Sequence, residues 1–292
     1  MTIATALVTG AAGLLGRATV AALADSGVRV HALVRDAGQA FRDDVEFHQV
    51  DLARPLDDSM LPPRVDAVFH LAQAREFRDF PAAAPAVFAI NVGTTAFLLD
   101  YASRTGAASF VSASSGGVYR GGGAEPLAED ASLNRPDELG YYLATKLSGE
   151  TLVASYSGRF RAVSLRYFFI YGPGQERSML IPRLYDRVSG GEPISLQGEE
   201  GMRINPVHVA DAAAATVAAA SITGAGAVNV AGPETISLRG IGELFGRDVG
   251  AEPVFERSAG PASDLVASTR RMSELLHTPT ISLSAALGDI RG

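Results

Sequence analysis

Residues 6–16 read Ala6-Leu7-Val8-Thr9-Gly10-Ala11-Ala12-Gly13-Leu14-Leu15-Gly16. A short apolar run passes into glycines at every third position and then into a helical pattern over Leu14–Asp25. That strand–loop–helix order decides the fold. Glycines at such a junction permit a tight turn, close approach of backbone to a pyrophosphate, and close packing of helix on sheet. The start of the helix adds free N–H groups and a partial positive charge. Gly10, Gly13, Leu14, Leu15 and Gly16 are therefore candidate cofactor-binding residues.

Working outward, apolar runs recur at Val28–Val34, Val45–Val50, Val65–Leu71, Ser109–Val111 and Ala162–Phe168. Several are nearly continuous rather than alternating, as in strands covered on both faces. Helical patterns stand between them at Val87–Arg104 and Tyr141–Tyr156, and the alternation predicts a parallel, doubly wound sheet. After Tyr171-Gly172-Pro173-Gly174 the chain turns richer in Gly, Pro and polar residues. A helix is expected at Ser178–Val188, a strand at Ile194–Leu196, a helix at Val209–Ala220 and a strand at Val228–Val230, then short helices and loops. The expected fold class is α/β, a Rossmann-type doubly wound parallel sheet with a smaller, discontinuous C-terminal substrate lobe. Residues 1–170 and 205–231 form the dinucleotide-binding domain in this reading, and 171–204 and 232–292 the substrate lobe.

Composition bounds the function. The 292 residues carry a formal charge of −7, and 47% are hydrophobic. With no cysteine, disulfide frameworks, thiolate–zinc sites and cysteine nucleophiles are excluded, and no metal site is expected. The acidic balance and the lack of a basic run argue against nucleic acid as a partner. The most apolar stretch, Ala210–Ile222, is short and interrupted by Asp211. It reads as a buried helix, so no membrane partner is expected and the location expected is cytoplasmic. Of the 25 basic residues, 24 are arginine, and the single lysine is Lys146.

That lysine follows Tyr142 by four residues, in Tyr142-Leu143-Ala144-Thr145-Lys146. One lysine placed at random would follow one of the 8 tyrosines by four in about 3% of cases, whereas lysine and arginine differ in chemistry. On a helix, residues four apart share a face. A fixed cation favours the phenolate, which predicts a tyrosine able to exchange a proton near neutral pH.

These segments resemble the extended branch of the short-chain dehydrogenase/reductase family, the epimerases, dehydratases and reductases. Thr9-Gly10-x-x-Gly13-x-x-Gly16 and Tyr142-x-x-x-Lys146 carry the likeness, with Ser114-Ser115-Gly116-Gly117-Val118-Tyr119 and Leu165-Arg166-Tyr167-Phe168-Phe169-Ile170-Tyr171-Gly172-Pro173. The resemblance implies a catalytic set of Ser115, Tyr142 and Lys146, with Ser115 and Tyr142 also touching substrate and Tyr142 and Lys146 also touching cofactor. It implies adenine contacts at Asp51 and Leu52, a lining at Leu71, Ala72 and Gln73, and cofactor contacts from Asn91 and Phe168. Substrate contacts fall to Phe169, where the family usually has asparagine, and to Arg203, in a segment one residue longer than the family's. Val34 stands where NAD enzymes have an acid, and Arg35 follows it; a guanidinium there suits a 2′-phosphate. NADP is the favoured cofactor, with NAD the alternative. Dehydratases carry an acidic pair where Gly116 and Gly117 stand, so a 4,6-dehydratase is not expected.

The function implied is hydride transfer at a carbinol or keto carbon of a sugar-like, nucleotide-activated substrate, by an epimerase or ketoreductase. One alternative is an NADPH-dependent reductase of a small carbonyl compound. The other, a non-catalytic dinucleotide sensor, has no need of an acid–base relay. The resemblance also implies a homodimer built from the helices Val87–Arg104 and Tyr141–Tyr156.

Overall fold

A computed structural model describes residues 3–123, 125–222 and 226–291. The strands β1 (Thr5–Thr9), β2 (Arg29–Val34), β3 (Glu46–Gln49), β4 (Ala67–His70), β5 (Ser109–Ser115) and β6 (Arg161–Tyr167) pair in parallel in one sheet. A further strand, β9 (Gly226–Val230), joins on the far side of β6, giving the order β3-β2-β1-β4-β5-β6-β9. The order reverses between β1 and β4, and in open α/β sheets the crevice beyond the carboxyl ends of such strands holds the ligand. The α/β, Rossmann-type doubly wound sheet is thus the fold.

Both faces of the sheet are covered, which is why the strand sequences run apolar without alternation. Ala6, Val8, Val30, Ala32 and Phe69 face one core, on the side of α1 (Leu14–Asp25). Leu7, Leu33, Val68 and Phe110 face the other, where they meet Leu98, Leu99 and Val153. Those partners lie on α3 (Thr94–Thr105) and α4 (Gly140–Ser155).

The helix expected from Val87 begins earlier, as α2 (Ala84–Phe88), and runs through a π turn, Ala89–Gly93, into α3. The resulting 22-residue run, Ala84–Thr105, has the length and composition to cross a membrane. Its apolar character has another origin: Val87, Leu98, Leu99, Tyr101 and Ala102 are buried, and α3 packs on β4, β5 and α4.

A third core, in the second lobe, gathers Tyr171, Ile181, Leu184, Leu196, Ile241 and Phe245. It is built by α5 (Leu180–Ser189), β7 (Ile194–Gln197), β8 (Arg203–Ile204) and α7 (Leu238–Val249). β8 pairs with β10 (Ile236–Ser237), and β7 with β11 (Phe255–Ser258). α7 is longer than the short helices expected there, because its glycines mask a sound amphipathic pattern. A Cβ on Gly242 would lie 2.8 Å from the Phe255 ring, so the glycine serves helix–strand packing.

Another departure concerns α8 (Arg270–Leu275), which lies in the span expected for the second lobe. Its Met272 is buried in the core of the sheet instead. The segment after it is tied to α6 (Val209–Ala219) through Asp211, which pairs with His277 Nε2 at 2.8 Å. The same carboxylate accepts from the Thr280 and Ile281 amides at 2.9 Å.

Candidate active site

The turn after β1 and the turn after β4 meet at the reversal of strand order. Thr9 Oγ1 lies 2.8 Å from His70 Nδ1 and accepts from the Ala72 amide at 3.2 Å. Gly10 takes φ +67°, and a Cβ there would lie 2.8 Å from Ala72. A Cβ on Gly16 would lie 2.0 Å from the Gly10 carbonyl oxygen. Only glycine fits these positions. The Gly13 amide donates to Gly10 O at 2.9 Å and the Arg17 amide to Gly13 O at 2.9 Å. Leu14, Leu15 and Gly16 therefore hold the amides of the first helical turn, which have no partner within the helix. No acidic side chain stands in that turn. The cradle fits a dinucleotide pyrophosphate.

The side that holds the candidate catalytic residues is built by α4 lying against the end of β5. Lys146 is buried, and its Nζ donates to the Ala113 carbonyl at 3.0 Å. One turn earlier, Leu143 packs so closely on the next loop that a Cβ on Gly117 would meet it at 3.1 Å. Ser115 ends β5 between those two points of contact and accepts the Gly117 amide at 3.2 Å. Tyr142 precedes Lys146 by one turn, and the ammonium lies 5.8 Å from the phenol ring centroid. Serine, tyrosine and lysine are thus gathered at one edge of the sheet.

Asn91 braces this helix. Its Nδ2 donates to Thr145 Oγ1 at 3.0 Å, while its buried Oδ1 has no partner among the described residues. It sits in the π turn, a local widening of a helix often found at functional sites.

Charge and burial act together here. Lys146 is pushed down to about 8 by burial, and the Glu150 carboxylate one turn on opposes the fall. The Tyr142 phenol is raised above its ordinary range by burial, with Arg78 opposing. This corrects the expectation that the lysine sets the phenol's acidity. The amine is turned toward the Ala113 carbonyl, and burial disfavours its own charge. Buried His70 is held down at about 3, by burial first and by Lys146 second.

A family model described as the NAD dependent epimerase/dehydratase family matches residues 6–231. The chain belongs to this family. It is 31% identical over 256 residues to a 3-diazoavenalumate denitrifying reductase from Streptomyces sp, covering 85% of this chain and 82% of the relative. It is 33% identical over 232 residues to a dTDP-glucose 4,6-dehydratase from Streptomyces griseus, covering 76% and 69%. Among solved structures, UDP-glucuronic acid 4-epimerase from Bacillus cereus, in complex with UDP-glucuronic acid and NAD, aligns with a TM-score of 0.83 at 26% identity. That match covers 98% of this chain and 97% of the other.

As an enzyme of the epimerase/dehydratase family, the chain places its remaining candidates unevenly. Arg35 is exposed just past β2, and among the described residues its guanidinium has no hydrogen bond or ion pair. Asp51 is turned to its own loop, accepting the Ala53 amide at 3.1 Å and pairing with Arg54 at 3.2 Å. Leu52 offers its carbonyl to Thr94 Oγ1 at 3.0 Å. Leu71 packs on the sheet core. Gln73, expected as cofactor lining, accepts the Tyr142 hydroxyl at 2.9 Å.

Two expectations for this family member need correcting. The Phe168 ring is buried, stacked near Tyr119, and a Cβ on Gly116 would lie 2.6 Å from it. It supports the Ser115 turn from below and offers no ring to a cofactor. Arg203 is engaged by Asp264, through Nε at 2.8 Å and Nη2 at 2.7 Å. It lines a cavity of about 200 Å³ with Glu125, Leu127, Thr235 and Asp264. That lining includes neither Ser115, Tyr142 nor Lys146. The extra residue in its segment has a structural counterpart: Asn205 is buried, exchanging hydrogen bonds with the Ala267 backbone at 2.9 and 3.0 Å.

Phe169 is half-buried between two apolar clusters and has φ +46°, the only positive value at a non-glycine described residue. Asparagine tolerates that conformation better than phenylalanine.

Pattern reading missed the segment before α2. Phe77 packs on Tyr142 with ring centroids 4.7 Å apart, and the Arg78 guanidinium lies 4.6 Å over Phe77. Arg78 also reaches Met179 Sδ at 3.8 Å, just before α5. No motif marks these residues; only the chain's return to the Tyr142 side reveals them.

Proposed function

We propose that this enzyme transfers hydride at a carbinol or keto carbon of a sugar nucleotide, with Ser115, Tyr142 and Lys146 as its catalytic set. The observation that carries the proposal is α4 presenting Tyr142 and Lys146 at the end of β5, where Ser115 stands, two strands from the β1 that leads into the glycine cradle. When bound, a nicotinamide dinucleotide supplies and takes back the hydride. Gly10 and Gly13–Gly16 would hold its pyrophosphate, and Lys146 a ribose hydroxyl. In the reducing direction Tyr142 gives its proton to the substrate oxygen. Ser115 holds that oxygen by a hydrogen bond as charge develops on it.

Dehydration is not part of the proposal. A Cβ at Gly116 would lie 2.6 Å from the Phe168 ring and one at Gly117 3.1 Å from Leu143, so an acidic pair there would have to displace both neighbours. A 2′-phosphorylated cofactor is supported by exposed Arg35 and by Val34 in place of an acid. The solved relative from Bacillus cereus carries NAD, which favours the unphosphorylated cofactor. Self-association through Val87–Arg104 and Tyr141–Tyr156 belongs to the same reading, and Phe88 is a large exposed apolar side chain on the first.

The test is turnover of a panel of UDP- and dTDP-sugars with either cofactor, together with mass spectrometry of nucleotide released from denatured protein. Epimerisation or 4-keto reduction of any of these sugars supports the proposal, and turnover confined to small unphosphorylated ketones overturns the substrate class. Bound NAD would overturn the Arg35 argument. The second reading, reduction of a small carbonyl compound, is favoured by one observation. Arg203, the candidate grip for a diphosphate, is paired with Asp264.

A further inference from the structure

Far from the catalytic edge, two of the five histidines and one carboxylate come together on β2 and β3. The parallel register sets His31 opposite Glu46 and Leu33 opposite His48. Residues 46 and 48 point to the same face of their strand, so all three side chains share one side of the sheet. His31 Nδ1 lies 3.1 Å from His48 Nε2 and 3.2 Å from Glu46 Oε2. One donor atom from each residue lies within 4.8 Å of the others. This is the only such group of three among the described residues.

We propose that His31, Glu46 and His48 bind Zn²⁺, pinning the edge strand β3 to β2. Bonds of about 2.0–2.1 Å in a tetrahedral shell put neighbouring donors about 3.3 Å apart, and two of the three donor separations already stand near that value. Two imidazoles and one carboxylate suit zinc. Calcium and magnesium prefer all-oxygen shells. The fourth position is left to water.

The surroundings support the set. His31 is buried, which limits its freedom to turn away. Arg29 binds Glu46 through Oε1, by Nε at 2.8 Å and by Nη2, leaving Oε2 toward His31. Such an outer partner orients a ligating carboxylate. Its positive charge also opposes a dication, so the site is one of modest affinity.

The role is structural. Three strands, β2, β1 and β4, separate β3 from β5 and Ser115. Next after His48, Gln49 donates to the Arg35 carbonyl at 3.3 Å. Holding β3 in place therefore steadies the strand end that carries Arg35.

Titration calorimetry of ZnCl2 into chelator-treated full-length protein, with thermal melting alongside, tests the site. One site of micromolar affinity and a raised Tm are expected. His48→Gln should weaken binding by at least about tenfold and abolish the Tm shift. Glu46→Gln, at an exposed position, should weaken binding by a similar factor, and it carries the test if circular dichroism shows His48→Gln unfolded. His277→Gln, which alters a separate histidine–carboxylate pair, should change nothing. Absence of a binding heat in the wild-type chain overturns the proposal, as does unchanged affinity in Glu46→Gln or loss of the site in His277→Gln.

Discussion

Lys146 and Arg203 both come from family-like segments, yet the fold treats them in opposite ways. Lys146 is buried on a sixteen-residue helix, its amine fixed on the β5 backbone and its neighbours set by helical spacing. Arg203 lies on a two-residue strand with half its side chain exposed, and a nearby carboxylate engages it. Helix α4 holds its groups by period and packing, so little can shift without the core shifting too. The second lobe holds its groups by local side-chain pairs, which a change in loop length can reassign.

That contrast breaks most visibly at Tyr142. Tyr142→Phe should lower kcat by roughly 100- to 10,000-fold, while the affinity for dinucleotide, measured by fluorescence titration, stays near that of the wild type. Loss of affinity along with rate would show that the phenol holds the cofactor and does not move a proton.

The next effect concerns what lies beneath the helix. Glu150 follows Lys146 by one turn and meets Arg166 Nη2 at 2.7 Å, with side chains 12% and 7% exposed. Ser114 donates to Glu150, and Arg166 donates to the Tyr119 hydroxyl at 2.7 Å. Glu150→Ala leaves a buried guanidinium without its counter-charge, and chemical denaturation should show a loss of about 3–5 kcal/mol. A loss well below this would mean that water or Glu129 takes over the guanidinium.

A smaller effect tracks pH. Lys146 falls to about 8 from an ordinary 10.5 because burial disfavours its charge. The ammonium therefore prevails below that pH, and the amine above it. Dinucleotide affinity should weaken as pH rises through about 8, and in Lys146→Met that dependence should flatten. The smallest effect belongs to the second lobe: Arg203→Ala should change kcat/KM for a sugar nucleotide by less than about threefold. A large rise in KM would show Arg203 leaving Asp264 for a diphosphate, and would restore it as a substrate contact.

The sequence disclosed what rests on short-range period. The glycine loop, the helix at Leu14–Asp25 and the Tyr142–Lys146 face follow from spacing within a dozen residues, and each stands in the fold where the pattern put it. Gln73, Phe77 and Arg78 were hidden or misassigned, because their approach to Tyr142 depends on how a loop of nearly seventy residues' sequence separation closes. The His31–His48 pairing was hidden for a similar reason: parallel register, and not chain proximity, joins them. Phe168 misled differently, since an aromatic beside a ligand and an aromatic beneath a turn look alike in sequence.

The arginine bias and the burial of Lys146 have a joint consequence for how the protein meets its surroundings. Every exposed basic side chain is a guanidinium, and the one side-chain primary amine is 6% exposed, on α4 against β5. Acylating agents and amine-directed cross-linkers find no lysine on the outer surface. Acetylation or succinylation of a lysine in this sequence can fall only on Lys146, the amine held against the β5 backbone.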